Sequence, residues 1–143
     1  MASRSSLVPI ARSRATRLPP AERRAQLLDR ALRVFARKGL GRGGHAEIAR
    51  EAKVSVAAVF TYFPSREALV REVLAETAGL YLDLADRRLS DRAVPAPKAL
   101  LDFAVAFAAT FDSHGDHARI LLEWSTAVRE DVWPLFLGFH ESM

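Results

Sequence analysis

The sequence predicts an all-α protein, with an N-terminal helix-turn-helix head joined by a long helix to an incomplete helical bundle. Apolar residues recur at intervals of three and four after residue 20, as one face of an α-helix requires. Glycine and proline fall between these runs, and no run alternates in the way a half-buried strand does. We divide the chain into a basic arm (1–17), the head (18–64) and a helical regulatory domain (65–143).

The first predicted helix follows Pro19 and Pro20 and ends at Gly39. Its apolar positions are spaced as a single stripe that faces a core. The stripe consists of Leu28, Ala31, Leu32, Phe35 and Ala36.

Two short helices complete the predicted head. The second runs from about His45 to Ala52 and turns at Lys53 and Val54; Ser55 then caps the third, which ends at Pro64. Apolar residues three or four apart give the third helix one apolar side: Val56, Val59, Phe60 and Phe63. This spacing favours core packing for Phe63 and leaves Phe60 undecided between core and surface.

The remaining sequence predicts four more helices. Ser65 caps a long fourth helix, with Leu69, Val73, Leu80 and Leu84 on one side, and a linker containing Pro95 and Pro97 ends it. The run from 99 to 111 is so apolar that we expect a fully buried fifth helix, too short to span a membrane. After a break at 114–116, Leu121, Trp124 and Val128 mark a sixth helix, and Asp131 with Pro134 starts a seventh.

Charge is distributed unevenly along the chain. Residues 1–50 contain 12 Lys/Arg and 3 Asp/Glu, whereas residues 51–143 contain 9 and 14. Such a basic front suits a polyphosphate, because cations near it release condensed counterions and gain salt-dependent affinity. A solubilising tail and an acidic membrane surface explain the charge alone equally well.

Several chemistries find little support in the residues. The chain has no cysteine, and no nucleophile stands at a recognisable spacing from a base, so we expect neither an enzyme nor a cofactor. The glycine-rich run at 39–44 follows an amphipathic helix rather than the buried strand that a dinucleotide loop requires. His114 and His117 with Asp112 and Asp116 are more typical of a surface loop than of a metal site.

One stretch carries a family resemblance. IAREAKVSVAAVFTYF at 48–63, followed by PSREAL at 64–69, closely resembles the signature of TetR-type transcriptional regulators. VFARKG at 34–39, GRGGHA at 41–46, EWS at 123–125 and DVWPLF at 131–136 resemble the LuxR/HapR-type branch, the vibrio quorum-sensing master regulators. The resemblance implies a homodimer that regulates transcription, and activation and repression both fit it.

The sequence departs from this pattern in three places. Lys53 stands in the inter-helix turn where most TetR proteins have Gly, which indicates a turn that tolerates a side chain and adds a cation near DNA. Thr61 stands where the LuxR/HapR branch has Asn, so a bidentate adenine contact is lost. The two long C-terminal helices that build most of the family's dimer interface are absent, which puts the dimer in doubt.

A helix-turn-helix places its second helix in the major groove, so the expected partner is double-stranded DNA. Ser55 and Thr61 are expected to bond bases, and Val56, Ala57 and Ala58 to lie against thymine methyl groups. Phosphate contacts are expected from the N–H groups near Gly44 and His45 and from Arg42, Lys53, Tyr62 and Arg66. The resemblance adds Arg14 and Arg17 of the arm, along the backbone or in the minor groove.

A small apolar effector is a second candidate partner. Six residues are candidates for lining its cavity, although packing explains most of them equally well: Tyr81, Phe103, Phe107, Leu121, Trp124 and Trp133. We expect no membrane partner and a bacterial cytoplasmic, nucleoid-associated protein. The alternative to a sequence-specific regulator is a truncated interaction or dominant-negative module that does not bind an operator alone.

Overall fold

A computed structural model describes residues 18–126 and 133–142, and within these ranges the chain forms seven helices and no strand. The helices are α1 (Pro20–Lys38), α2 (His45–Ala52), α3 (Val56–Tyr62), α4 (Arg66–Leu89), α5 (Ala96–Ser113), α6 (Gly115–Thr126) and α7 (Trp133–Glu141). The predicted all-α class is confirmed. The basic arm with Arg14 and Arg17, together with Val128 and Asp131, lies outside the described residues.

Helix α1 begins and ends where the sequence indicates. Pro20 occupies the first turn, where its missing N–H costs nothing, and Gly39 ends the helix with a φ of 87°. Five residues of α1 are buried: Leu27, Ala31, Leu32, Val34 and Phe35. Ala31, Leu32 and Phe35 of the predicted stripe are buried, whereas Leu28 and Ala36 are half-buried at its margin. The buried face is therefore shifted slightly around the helix from the predicted one.

The turn between α2 and α3 is made by a residue in the left-handed region. Lys53 has φ 55° and ψ 44°, and its N–H bonds back to the carbonyls at the end of α2. The Ser55 hydroxyl then accepts from the N–H of Ala58 at 3.1 Å, which confirms the predicted cap of α3. Three residues, 53–55, thereby join the two short helices. The turn accommodates the Lys53 side chain, as predicted.

Helix α4 connects the head, α1–α3, to the body, α4–α7. Ser65 caps it as predicted, accepting from the N–H of Ala68 at 3.0 Å. Leu69 and Val73 are fully buried, whereas Leu80 and Leu84 are half-buried. One continuous hydrophobic core runs from α1 to α7, so the division of the chain at residue 64 remains a prediction.

The prediction that 99–111 forms a fully buried helix is wrong. Only Ala99 and Thr110 of α5 are buried, while Leu101 and Val105 are each 63% exposed. Within the described residues, α5 packs mainly against α4 and α6, which cover one side of it. An apolar composition cannot reveal how many neighbours a helix has, and this helix has them on one side only.

The α1–α2 turn is packed too closely for a side chain at Gly43. A Cβ built there would lie 2.7 Å from Cδ1 of the buried Phe35 ring. Gly79, in the exposed middle of α4, has no heavy atom within 4 Å of the same position.

We expect the same substitution at these two glycines to have opposite effects on stability. Gly43→Ala should lower the free energy of unfolding by about 1–3 kcal/mol, since the Phe35 ring has to move. Gly79→Ala should raise it by about 0.5–1 kcal/mol, because alanine is the better helix former. Urea unfolding followed by circular dichroism measures both, and a Gly43→Ala protein as stable as the parent would contradict the packing described.

Candidate nucleic-acid interface

Helix α3 lies on the molecular surface with one side in the core. Val59 and Phe63 are buried, which confirms core packing for Phe63. The opposite side presents mostly small or β-branched residues at the surface, with Ser55, Val56, Ala57 and Thr61 exposed and Ala58 half-buried, and the larger Tyr62 is half-buried beside them. Because most of these side chains are small, they leave room for the backbone of a duplex to approach α3 closely.

The ring of His45 packs against the C-terminal part of α3. It stacks on the Phe60 ring with centroids 3.9 Å apart and planes 6° apart, and its Nε2 donates to the carbonyl of Phe63 at 2.8 Å. These contacts hold the imidazole inside the protein. The phosphate donor proposed at His45 is therefore its backbone N–H and not its ring. Phe60, left undecided by the sequence, is 46% exposed with one ring face covered by His45.

The N-terminus of α2 opens toward the same surface as the glycine-rich turn. Gly44 precedes the helix in an extended conformation and has no side chain with which to cap the first turn. Backbone N–H groups at an uncapped helix start favour anions. Glu47 places a carboxylate in this first turn, and a phosphate site at Gly44 and His45 stays a prediction.

Several cationic side chains lie in the segments before and after α3. Lys53 is exposed in the turn before α3, and Arg50 is exposed in the last turn of α2. Arg42 is exposed, with its Nε donating to the carbonyl of Lys38 at 3.2 Å. Arg66 is half-buried and donates from one guanidinium nitrogen to the carbonyl of Leu40, which leaves its other N–H groups for a phosphate.

Both backbone groups of Leu40 are held by distant parts of the chain. Its N–H donates to Oε1 of Glu123 on α6 at 2.8 Å, and its carbonyl accepts from Arg66 at the start of α4. The Leu40 side chain itself is 1% exposed. Sequence reasoning did not assign this role to Glu123 or the bond with the Phe63 carbonyl to His45, because nothing local in the sequence identifies partners 83 and 18 residues away.

The six candidate pocket residues separate into two groups. Tyr81 packs on Phe107, with ring centroids 5.3 Å apart, and Phe107 contacts Phe103 on its own helix. Leu121 and Trp124 on α6 are buried, and the half-buried Trp133 stacks on Phe136.

One cavity in the body contains only one of the six candidates. It has a volume of about 360 Å³ and lies between α4, α6 and α7, with Trp124, Leu74, Leu135 and Phe139 among its lining residues. The other five candidates do not line it.

His114 and His117 lie together at the start of α6, with ring centroids 5.9 Å apart. Among the residues that the structure describes, no group of three His, Cys, Asp or Glu side chains is arranged to hold a metal. Burial lowers the pKa of His117 below its usual value, and the neighbouring His114 lowers it further.

Comparison with known proteins agrees with this geometry. Residues 27–73 match the family model described as bacterial regulatory proteins, tetR family. Over this region the chain is similar to the TetR family. The match covers α2, α3 and the start of α4, the stretch that carries the signature in the sequence.

Relatives with named functions are transcriptional regulators. The chain is 41% identical over 128 residues to the HTH-type transcriptional regulator LuxR of Vibrio harveyi, covering 90% of this chain and 62% of LuxR. It is 40% identical over 60 residues to the nicotine-responsive transcriptional repressor HdnoR of Paenarthrobacter nicotinovorans, covering 42% of this chain and 31% of HdnoR. The chain thus spans somewhat less than two thirds of LuxR.

Solved structures share the fold. A TetR-like regulator from Rhodococcus sp. RHA1 superposes with a TM-score of 0.72 at 21% identity, over 88% of this chain and 65% of that one. A tetR-family regulator from Streptomyces coelicolor gives 0.67 at 28% identity, over 87% and 55%. No helix in the described ranges is long and apolar enough to cross a bilayer.

We expect His45 to contribute to stability through its ring and through its hydrogen bond separately. His45→Phe keeps an aromatic ring beneath Phe60 and removes the bond to the Phe63 carbonyl, so it should cost about 1 kcal/mol. His45→Ala also removes the stack and should cost roughly 0.5–1.5 kcal/mol more. Denaturant unfolding separates the two, and equal stability of all three proteins would contradict the arrangement.

We expect the free energy of unfolding to decrease as the pH is lowered, because of His117. Its pKa is lowered in the folded state, so the unfolded chain binds the proton more readily. The contribution is complete above the unfolded pKa of about 6.5 and is lost as pH falls from there toward the lower folded pKa. As the pH is lowered from 7.5 to about 5, the midpoint temperature of thermal unfolding should fall less steeply in His117→Gln than in the parent. Identical slopes in the two proteins would count against the role assigned to His117.

Proposed function

We propose that α3 enters the major groove of double-stranded DNA and that the protein is a sequence-specific transcriptional regulator. One observation supports this most: α3 combines a buried side, Val59 and Phe63, with an exposed side of mostly small residues that follows directly on the exposed Lys53. A helix so supported can insert between phosphate backbones without losing its own packing.

Base recognition is assigned to few side chains. Thr61 Oγ1 donates to the carbonyl of Ala57 at 3.1 Å, so its remaining lone pairs are suited to accept from an adenine or cytosine amino group. The Ser55 hydroxyl oxygen accepts from Ala58, so its hydrogen stays available to donate to a base acceptor. Val56 and Ala57 suit contact with thymine methyl groups, as does Ala58 at the margin of the surface.

Phosphate contacts would fix the register of α3 without reading sequence. Lys53, Arg42 and Arg66 supply charge on the sides of α3, and Tyr62 adds a hydroxyl. The α2 N-terminus at Gly44 and His45 supplies backbone donors. Arg14 and Arg17 of the arm are proposed, from the resemblance, to follow the backbone or enter the neighbouring minor groove.

Effector control is the finer part of the proposal. The cavity beside Trp124 is largely apolar and fits a small apolar effector, and relatives are described as responsive to nicotine and as binding multiple drugs. Likeness to LuxR adds quorum sensing as the proposed setting. Binding as a homodimer would require operators with two half-sites about one or more helical turns apart.

A second candidate function is an interaction module that pairs with other subunits and binds no operator alone. The exposed apolar side of α5 favours it. Selection of bound DNA from a random pool separates the two candidates, because an interaction module enriches no sequence and a regulator enriches a motif whose half-site spacing reports the dimer.

We expect two variants to divide specificity from general affinity. Thr61→Ala should weaken binding to the selected site by about 1 kcal/mol and leave binding to unrelated DNA unchanged. Lys53→Gly should weaken binding to all sequences and reduce the slope of log K against log salt by about 1. Fluorescence anisotropy over a salt series measures both quantities.

Matched controls guard these measurements. Lys53→Gly should fold at least as stably as the parent, since glycine accepts a φ of 55° without strain. Arg88→Ala removes one charge from the exposed end of α4, far along the chain from α3, and should leave the salt slope unchanged. Binding indifferent to both Thr61→Ala and Lys53→Gly would contradict the placement of α3 in the groove.

A further inference from the structure

The carboxylate of Glu123 lies against the peptide group that joins Gly39 to Leu40. Its Oε1 accepts from the N–H of Leu40 at 2.8 Å, across 83 residues of sequence. The carbonyl of that same peptide group, on Gly39, accepts from the N–H of Arg42 at 3.2 Å and from the N–H of Gly43 at 3.1 Å. One peptide plane is therefore held on one side by α6 of the body and on the other by the turn that leads into α2.

The surroundings of Gly39 show how closely the carboxylate approaches the backbone. A Cβ built on Gly39 would lie 3.0 Å from Oε1 of Glu123. The φ of 87° at the same residue is one that residues with a side chain rarely adopt. The glycine therefore ends α1 and also leaves room for the carboxylate beside the peptide.

The orientation of this peptide plane is passed on to α2 and α3. A rotation that breaks the bond to Glu123 also turns the Gly39 carbonyl away from the turn, because the N–H and the carbonyl belong to one rigid plane. The turn itself has little room to adjust, since Gly43 packs on the buried Phe35 ring. Helix α2 begins directly after the turn, at His45, and three residues join it to α3.

We propose that Glu123 is a positioning residue for DNA binding, whose carboxylate fixes the Gly39–Leu40 peptide and so sets the orientation in which α3 meets a duplex. The inference rests on the function proposed for α3. Without the bond, the turn samples orientations in which α3 does not fit the groove, and the affinity for a specific site falls with the fraction that fits. Phosphate contacts that read no sequence tolerate this change.

Two substitutions of Glu123 separate the hydrogen bond from the charge. Glu123→Ala removes the acceptor and should weaken binding to the selected site by roughly fivefold, as expected for one hydrogen bond. Binding to unrelated DNA and the slope of log K against log salt should match the parent, since no phosphate contact is removed. Glu123→Gln keeps an oxygen acceptor without the charge and should restore most of the site affinity. Asp102→Ala removes a carboxylate that bonds Lys98 within α5 and should leave both affinities unchanged.

Hydrogen exchange in the free protein tests the contact without DNA. In Glu123→Ala the exchange rate of the Leu40 N–H should rise by more than that of the N–H of Val73, a fully buried residue of α4 that reports global unfolding. In Glu123→Gln and Asp102→Ala the Leu40 rate should stay close to that of the parent. A carboxylate that only stabilised the fold would change both N–H groups alike.

The proposal would be overturned by a Glu123→Ala protein that binds the selected site as tightly as the parent. It would also be overturned by equal losses for the selected site and for unrelated DNA, or by a Gln variant as weak as the Ala variant. A parent chain that binds no DNA would instead overturn the function proposed for α3. Exchange at Leu40 then still decides whether Glu123 fixes the turn, and an unchanged rate in Glu123→Ala would show that it does not.

Discussion

The backbone N–H and carbonyl of Leu40 form one of the connections that fix the head to the body, beside the hydrophobic core that the two share. The N–H is held by Glu123 of the body, and the carbonyl is held by Arg66, the first residue of α4. Because the Leu40 side chain is also buried, the α1–α2 turn cannot shift without losing both bonds. The direction in which α2 and α3 leave that turn, and hence the surface proposed to meet DNA, depends on this connection.

Helix α3 needs such support because it is too short to be stable by itself. Seven residues form fewer than two full turns, and an isolated helix of that length is unstable in water. The Ser55 cap satisfies its start, Val59 and Phe63 anchor it in the core, and the His45 ring covers Phe60. Val59 and Phe63 anchor α3 from the side away from the exposed row, so the row is left accessible to a ligand as large as a duplex.

The sequence predicted what is decided locally. Pro20, Gly39, Ser55 and Ser65 act within one turn of themselves, and the helix boundaries they set agree with the structure. Local pattern failed for α5, where burial depends on how many elements reach the helix. The interface residues proposed from the pattern stay a prediction, and the orientation of the His45 ring depends on Phe63, 18 residues away, which no local pattern reveals.

The clamp on Leu40 also bears on how the proposed effector would reach the head. Glu123 and Trp124 are consecutive on α6, and one bonds the α1–α2 turn while the other lines the cavity. A helix is rigid over two residues, so an occupant that displaces α6 at Trp124 also displaces the carboxylate of Glu123. The bond to Leu40 is worth about 1 kcal/mol, which is comparable to the coupling of 1–3 kcal/mol typical between two sites. Loss of this bond would leave the α1–α2 turn held by Arg66 and by the buried Leu40 side chain, so the proposed effector would loosen the turn rather than release it.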